Sequence, residues 1–499
     1  MKLLLRGACT LHGERFAFDR QPRDVLIETR CIAAIEPAGS ITNADTVVAL
    51  DRHLLVPGLI NGHFHSHENF QKGRTENLPL ELWMHYVRTP VPVPLTWRQA
   101  YLRTMIAAIE SLRSGATMVV DDLSLGGFVN HTVIDAVLQA YEDLGVRACV
   151  GFAMMDRPVV DNFPFVDDAF PPALLASLRA LPRPDPDEIL ATTRALASAR
   201  HPRSRRVSVI ASASAPMRCT PAFLRAIRRM ADDLDLPVIT HVQETRLQVV
   251  TGHHFYGKTM VEHLHAEGFL KPKTTLIHAV WLNPREIALL AETGATAQHN
   301  PWSNLTLGSG IAPVRALLDA GVNVSMGTDG CCSTSSTNML NVLGTAAGLG
   351  KVRDGDYRRW LSAAEVLHAA TVGGAKALGL GDRLGTIEVG RAADLVAYRL
   401  ESIPFVPLSD PVRQLVYAER GASISHVLVD GELVMRDGQL ARIDEASILR
   451  QIEEEFATLE DTFKMAEASV APMHRAMEEV YRRCEAEAIA PDTHRARLD

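Results

Sequence analysis

Between about residues 58 and 385, eight short apolar runs alternate with longer amphipathic segments, and this alternation limits the fold more than any other feature. The first run leads into Val56-Pro-Gly-Leu-Ile-Asn-Gly-His63-Phe-His65. The others are Thr117–Asp121, Arg147–Phe152, Val207–Ala211, Pro237–His241, Thr275–His278, Ala295–His299 and Val322–Gly327. Short continuous apolar runs suit strands buried on both faces, as in a parallel sheet covered by helices. Helix patterns fall between them at Trp97–Arg113, Thr132–Leu144, Pro221–Leu234, Pro284–Thr293 and Ile311–Ala320. Eight strands alternating with helices predict an α/β fold, a (β/α)₈ TIM-type barrel.

The chain ends read differently. Residues 1–57 hold strand-like runs broken by turn signals, and strand signals return at Asp394-Leu-Val-Ala-Tyr and His426–Met435. There Asp430-Gly431 between apolar runs predicts a hairpin. We therefore expect 1–57 and 386–443 to form one small β-sandwich, 58–385 the barrel, and 444–499 a charged helical extension for packing or oligomer contacts. The proline- and aromatic-rich stretch 154–188 follows a strand and is expected to be a lid over the face where barrel active sites form.

Composition excludes several classes. The formal charge is 51 − 59 = −8 without a basic run, which argues against a nucleic-acid partner. No stretch approaches the roughly 18 apolar residues that span a bilayer, and the N-terminus lacks a signal-peptide core. Seven scattered cysteines without Cys-x-x-Cys spacing suggest reduced thiols and a cytoplasmic setting.

Ligand-type residues recur where these strands end. His63 and His65 alternate with Phe64 and so share a face, where two imidazoles can hold one divalent metal; a lone His-x-His is also consistent with a solvent-facing strand end. His241 closes another run with Glu244 three residues on, His278 and His299 close two more, and Asp329 follows the eighth. Each alone is as well explained by structure, but together they place reactive groups at the carboxyl ends of barrel strands.

The motifs Pro57-Gly-Leu-Ile-Asn-Gly-His-Phe-His, Leu78-Pro-Leu-Glu-Leu-Trp83, His241-Val-Gln-Glu244-Thr, His278-Ala-Val-Trp-Leu, His299-Asn-Pro-Trp-Ser-Asn304 and Gly327-Thr-Asp329-Gly resemble the amidohydrolase superfamily. Within it, they are most similar to the triazine-hydrolase and S-adenosylhomocysteine/methylthioadenosine deaminase group. The resemblance covers roughly residues 1–440. It implies that His63, His65, His241 and Asp329 bind one divalent metal, zinc or else iron. It also implies that Glu244 shuttles protons, that His278 polarises the attacking water or holds substrate, and that Asp329 takes the water's proton. His299-Asn-Pro and His278-Ala-Val depart from the His-Cys-Pro and His-Cys-Val of close relatives, which weakens any transfer of substrate identity.

The implied reaction is deamination of an N-heterocycle such as a purine, pterin, pyrimidine or triazine. The alternatives are dechlorination, N-dealkylation or amide or urea cleavage at the same site, and a catalytically silent scaffold. Phe70, Gln71, Trp83, Trp281, Trp302 and Ser303 are expected to wall the substrate pocket. His67 is expected in a supporting or surface position, and His253, His254, His263 and His265 mostly at the surface. A homodimer is the family-level expectation.

Overall fold

The computed structural model describes residues 2–494, 496 and 497; the remaining tips of the expected 1–57 and 444–499 segments lie outside the described residues. Eight parallel strands form one sheet in sequential order: β1 (Leu59–Phe64), β2 (Ala116–Leu123), β3 (Arg147–Phe152), β4 (Val207–Ser212), β5 (Val238–Val242), β6 (Thr274–His278), β7 (Thr296–His299) and β8 (Asn323–Met326). β8 closes back on β1, with the Asp329 amide donating to His63 O at 3.0 Å. Close approach explains Gly327, where a Cβ would lie 2.6 Å from His63 O. One end of the barrel is filled by Ile60, Met118, Val120, Cys149, Ile210, Ile239 and Ile277, a packed apolar plug.

Local signals set the helices. Thr96 and Gln99 form a capping box that opens Trp97–Arg113, Thr220 caps Pro221–Asp233, and Asn283 caps Pro284–Thr293. The expected Ile311–Ala320 helix is shorter, Val314–Asp319, because Pro313 stands at its N-cap and Ile311 instead pairs with the C-terminal segment through Ala496 O. The 154–188 stretch is not featureless. It contains Val166–Ala169 and Pro172–Arg179, and Pro186–Ala199 begins within it.

Both chain ends share a nine-stranded mixed sheet in which Leu395–Arg399 pairs antiparallel with His53–Pro57. The Asp430-Gly431 hairpin joins Ile424–Val429 to Glu432–Arg436, with both turn residues at positive φ, 55° and 78°. This sheet is tied to the barrel by Arg147 at the start of β3, which donates to Asp394 at 2.8 and 3.0 Å and to Asp430 at 2.5 Å. All three residues are buried.

The chain's last helix, Ala471–Ala486, returns to the opposite end of the barrel. Its Met473, Met477 and Val480 pack with Leu80, Trp83 and Met84, with Phe163, Val166 and Phe170, and with Leu247 and Val250. This satellite core roofs the carboxyl ends of the strands. The end of the expected extension is thus committed to packing within its own chain, and the 154–188 stretch is part of the same roof.

Candidate metal centre

Four strand ends converge beneath that roof. His63 is the penultimate residue of β1, and His65 follows it in extended conformation, so alternation directs both rings to one side and sends Phe64 into the core. The His63 ring lies 4.7 Å from His65, 4.9 Å from His241 in β5 and 6.0 Å from His278 at the end of β6. Asp329, beyond β8, places Oδ1 3.4 Å from Nε2 of both His63 and His65, while Oδ2 lies 3.8 Å from His278 Nε2. His278 and Asp329 both hold left-handed backbone, with φ of 72° and 64°. Such strain at non-glycine residues persists only where surrounding structure enforces it.

The hydrogen bonds select which nitrogens face the centre. His65 Nδ1–H donates to Asp122 O and His241 Nδ1–H to Ser214 O, each at 2.7 Å, leaving both Nε2 lone pairs available. His63 is fully buried with neither ring nitrogen bonded to protein. Orphaned buried nitrogens of this kind require an account, and a metal ion supplies one. Three groups of described residues could hold an ion: His63, His65 and His241; His63, His278 and Asp329; and His65, His67 and Glu68. Within each group all ligand atoms lie within 4.8 Å of one another. The first two share His63 and merge into a donor set of imidazoles and one carboxylate, which suits one divalent metal.

Burial tunes the surrounding groups. It holds His241, with neighbouring His63 adding to the effect, well below the ordinary imidazole range, and it lowers His278 to about 4, so both are neutral near pH 7. The His278 Nδ1–H donates to Asn304 Oδ1 at 2.9 Å, so Nε2 faces Glu244 Oε2, 3.4 Å away, as an acceptor. Burial, reinforced by the Asp329 charge, raises the Glu244 carboxyl well above the carboxylate range. Burial also pushes Asp329 upward, but the facing His63, His278 and His65 imidazoles outweigh it and hold this carboxyl well below its usual range. Two carboxyl groups at one site are thereby driven apart, one towards a proton donor and one towards an acceptor. Ser303 Oγ donates to Asp329 Oδ2 at 2.6 Å and fixes its orientation.

The cavity above this centre measures about 40 Å³ and is lined by His65, His67, Trp83, Arg88, Arg218, His241, Glu244, His278 and Asp329, among others. That is room for a few waters. Of the six expected wall residues, Trp83 lines the cavity and the other five do not. Phe70 turns down into the core, with its ring 5.7 Å from Phe456. Gln71 accepts from Cys332 Sγ at 3.4 Å. Trp281 donates to Ser309 O at 2.8 Å beneath the C-terminal segment. Trp302, in the short helix after β7, is 40 % exposed. Ser303 acts on Asp329 instead of facing the space.

His67 is half-buried on the cavity wall. His253, His254 and His265 are exposed, whereas His263 is buried and stacked on Tyr256 at 3.8 Å. His299 faces away from the centre and borders a separate cavity of about 310 Å³ with Arg315, Arg353 and His494. Larger volume does not make that space the reactive one, since none of the metal-type clusters among the described residues borders it.

Sequence reasoning missed Glu68, Met84, Arg88, Met217, Arg218 and Gln248, all in the cavity lining. Arg218 carried a usable signal, because it lies in the loop after β4 on the same face as the other strand ends. Glu68 lies in the turn directly after His65.

Comparison with known proteins places this geometry. The model of the Amidohydrolase family matches residues 54–434. A 5-methylthioadenosine/S-adenosylhomocysteine deaminase of Desulforudis audaxviator (strain MP104C) is 32% identical over 462 residues, covering 91% of this chain and 98% of the relative. The structure of an adenosine deaminase from Xanthomonas campestris with bound zinc superposes with a TM-score of 0.80 at 30% identity, covering 91% of this chain and 98% of that one. The zinc complex of atrazine chlorohydrolase from Arthrobacter aurescens TC1 gives a TM-score of 0.82 at 26% identity, with coverage of 91% and 100%.

Proposed function

The chain belongs to the amidohydrolase family, and on that premise we propose that it is a metal-dependent hydrolase that deaminates an N-heterocyclic small molecule such as a purine, pterin, pyrimidine or triazine. The observation that carries the reading is geometric: Glu244 Oε2 stands 3.4 Å from His278 Nε2, which lies 3.8 Å from Asp329 Oδ2 within the cluster of imidazoles. His63, His65, His241 and Asp329 would hold one divalent ion, zinc by likeness to the zinc-bound relatives. When bound, such an ion supplies a water acidified to near neutrality.

The chain's own groups divide the remaining work. Asp329, oriented by Ser303 and by the Gly330 amide at 2.8 Å, accepts the proton of the attacking water. Glu244, whose carboxyl burial raises well above the carboxylate range, donates to the ring nitrogen as negative charge develops there. His278 presents Nε2 beside Glu244 and Asp329 as an acceptor, its tautomer fixed by Asn304, and so orients the water or the substrate between them. Trp83 offers a flat apolar wall against which a ring can stack. A proton delivered to a ring nitrogen favours loss of ammonia from an amidine carbon, and the similar deaminases are closer in identity than the chlorohydrolase.

A reduced, cytoplasmic setting is supported by seven cysteines, none in a disulfide, and no helix among the described residues is long and apolar enough to cross a membrane. A homodimer would use the outer face of the C-terminal helices, where Leu449 and Met465 are exposed. The reading is tested by assaying ammonia release from the zinc-loaded protein against adenosine, pterin, a 2-aminopyrimidine and an aminotriazine. We expect release from at least one ring, and loss of it on chelation with return on adding zinc. Chloride or alkylamine release from a chloro(alkylamino)triazine, without ammonia from any ring, would replace deamination by the alternative reactions.

A further inference from the structure

Two buried guanidinium groups in the cavity wall have no ion-pair partner within hydrogen-bond reach among the described residues. Arg218 follows β4, is 7% exposed, and lines the space above the metal centre. Its Nη1 donates to Ser214 Oγ at 2.9 Å, its Nη2 lies against the Met84 sulfur at 2.7 Å, a weak acceptor, and its Nε has no partner. Arg88 caps the Leu80–Val87 helix from the roof side of the same space, and its buried Nη1 is also without a partner. Neither arginine forms an ion pair with any described residue. Glu68, Glu244 and Asp329 share the lining and Asp122 lies behind it, yet none of these carboxyls pairs with either guanidinium, so the unpartnered N–H groups stay open to a ligand.

A desolvated, unpaired guanidinium is strongly unfavourable, and a divalent ion close by makes the surplus positive charge worse. Arg147 shows how this chain treats a buried arginine that serves structure: two aspartates satisfy it. Arg103 also has unpartnered nitrogens, but it does not line the cavity and carries no ligand argument.

We propose that Arg88 and Arg218 receive an oxyanion substituent, a carboxylate or a phosphate, carried by the heterocyclic substrate. The planar guanidinium fork matches either group with paired N–H donors. Placed in the roof and the wall, the two forks would hold the substituent while the ring reaches Glu244 and the centre below. The oxyanion would thus join Arg88 at the end of the Leu80–Val87 helix to Arg218 after β4. The inference rests on the deaminase reading for the ring, and its test separates the two.

The test uses the zinc-loaded protein and two matched pairs, pterin against pterin-6-carboxylate and adenosine against adenosine 5′-monophosphate. Ammonia release gives kcat/KM, and equilibrium dialysis gives Kd independently of turnover. In at least one pair the charged member is expected to bind about tenfold or more tighter than its neutral partner, with a correspondingly lower Kd, or to show a kcat/KM about tenfold or more higher. Arg218→Met and Arg88→Met are each expected to lower that ratio about 30-fold or more, the scale for truncating one side of a buried charge pair, and Arg218→Lys to recover part of it. Preference in the first pair names a carboxylate and in the second a phosphate. Neutral members bound as well as charged ones in both pairs, or variants that weaken both members equally, would overturn the proposal and leave the deaminase reading intact. Selective, arginine-dependent binding without ammonia release would leave the oxyanion site standing and remove the deaminase reading. Should Arg218→Met fail to fold, Arg88→Met decides on the same ratio.

Discussion

Two clusters of buried polar groups at opposite ends of the barrel are treated in opposite ways. At the amino-terminal end, Arg147 is matched by Asp394 and Asp430, and the three link β3 to the sheet built from both chain ends. At the carboxyl-terminal end, both His63 nitrogens, Arg88 Nη1 and Arg218 Nε are buried with nothing to bond. Satisfied groups hold the structure together, whereas unsatisfied ones await a ligand and are maintained by the stability of the rest. The fold is thus divided between an end that supplies stability and an end that uses it.

Four variants bear on this division. The largest effect is expected from Asp329→Asn, which should lower kcat by at least ~10⁴-fold, the upper end for removing a catalytic base. Its melting midpoint should stay close to that of the parent, checked by calorimetry. Arg147→Met should do the reverse: it strands the buried Asp394, while Asp430 keeps Arg30 at 3.3 Å, and costs about 3–5 kcal/mol of stability, read by denaturant unfolding, while zinc per chain stays constant by elemental analysis. Loss of metal in that variant would mean that the two ends are not separable.

Glu244→Gln should reduce kcat by about 10²–10³-fold with metal content unchanged. It should also remove the fall in rate on the alkaline side, since the parent loses its donor as pH rises through the raised Glu244 value. The smallest effect concerns the roof. Burial, then the nearby His474, lowers His85 to about 4. The folded chain therefore keeps this ring neutral while the unfolded chain binds a proton below its ordinary value of about 6.5. Stability should be flat above that pH and fall by about 2–3 kcal/mol between it and pH 4. His85→Leu should flatten this limb in urea unfolding measured across the range.

The same division decided what could be read from the sequence. All eight barrel strands were legible because each is buried on both faces and carries a dense apolar run, and the helices were marked by local caps at Thr96, Thr220 and Asn283. His63, His65, His241, His278 and Asp329 stood out because strand ends share one rim. The roof was legible only in part: the 154–188 stretch was expected over this face, but its packing with Trp83, Val250 and Met477 arises only after the chain has folded. For the same reason Trp281 and Trp302 read equally well as pocket walls, until the turn after each strand carried them elsewhere. Whether an arginine such as Arg147 or Arg218 has a partner is a property of three-dimensional packing and leaves no trace in local sequence.

The central claim is that one metal, held among His63, His65, His241 and Asp329, makes this end of the barrel a deaminase. The direct measurement is a zinc titration of metal-free protein, with ammonia release followed on the most responsive ring. We predict that the rate rises linearly and breaks at one equivalent in the parent, and stays at baseline throughout in Asp329→Asn. A break at two equivalents, or ammonia release independent of metal, would contradict the account.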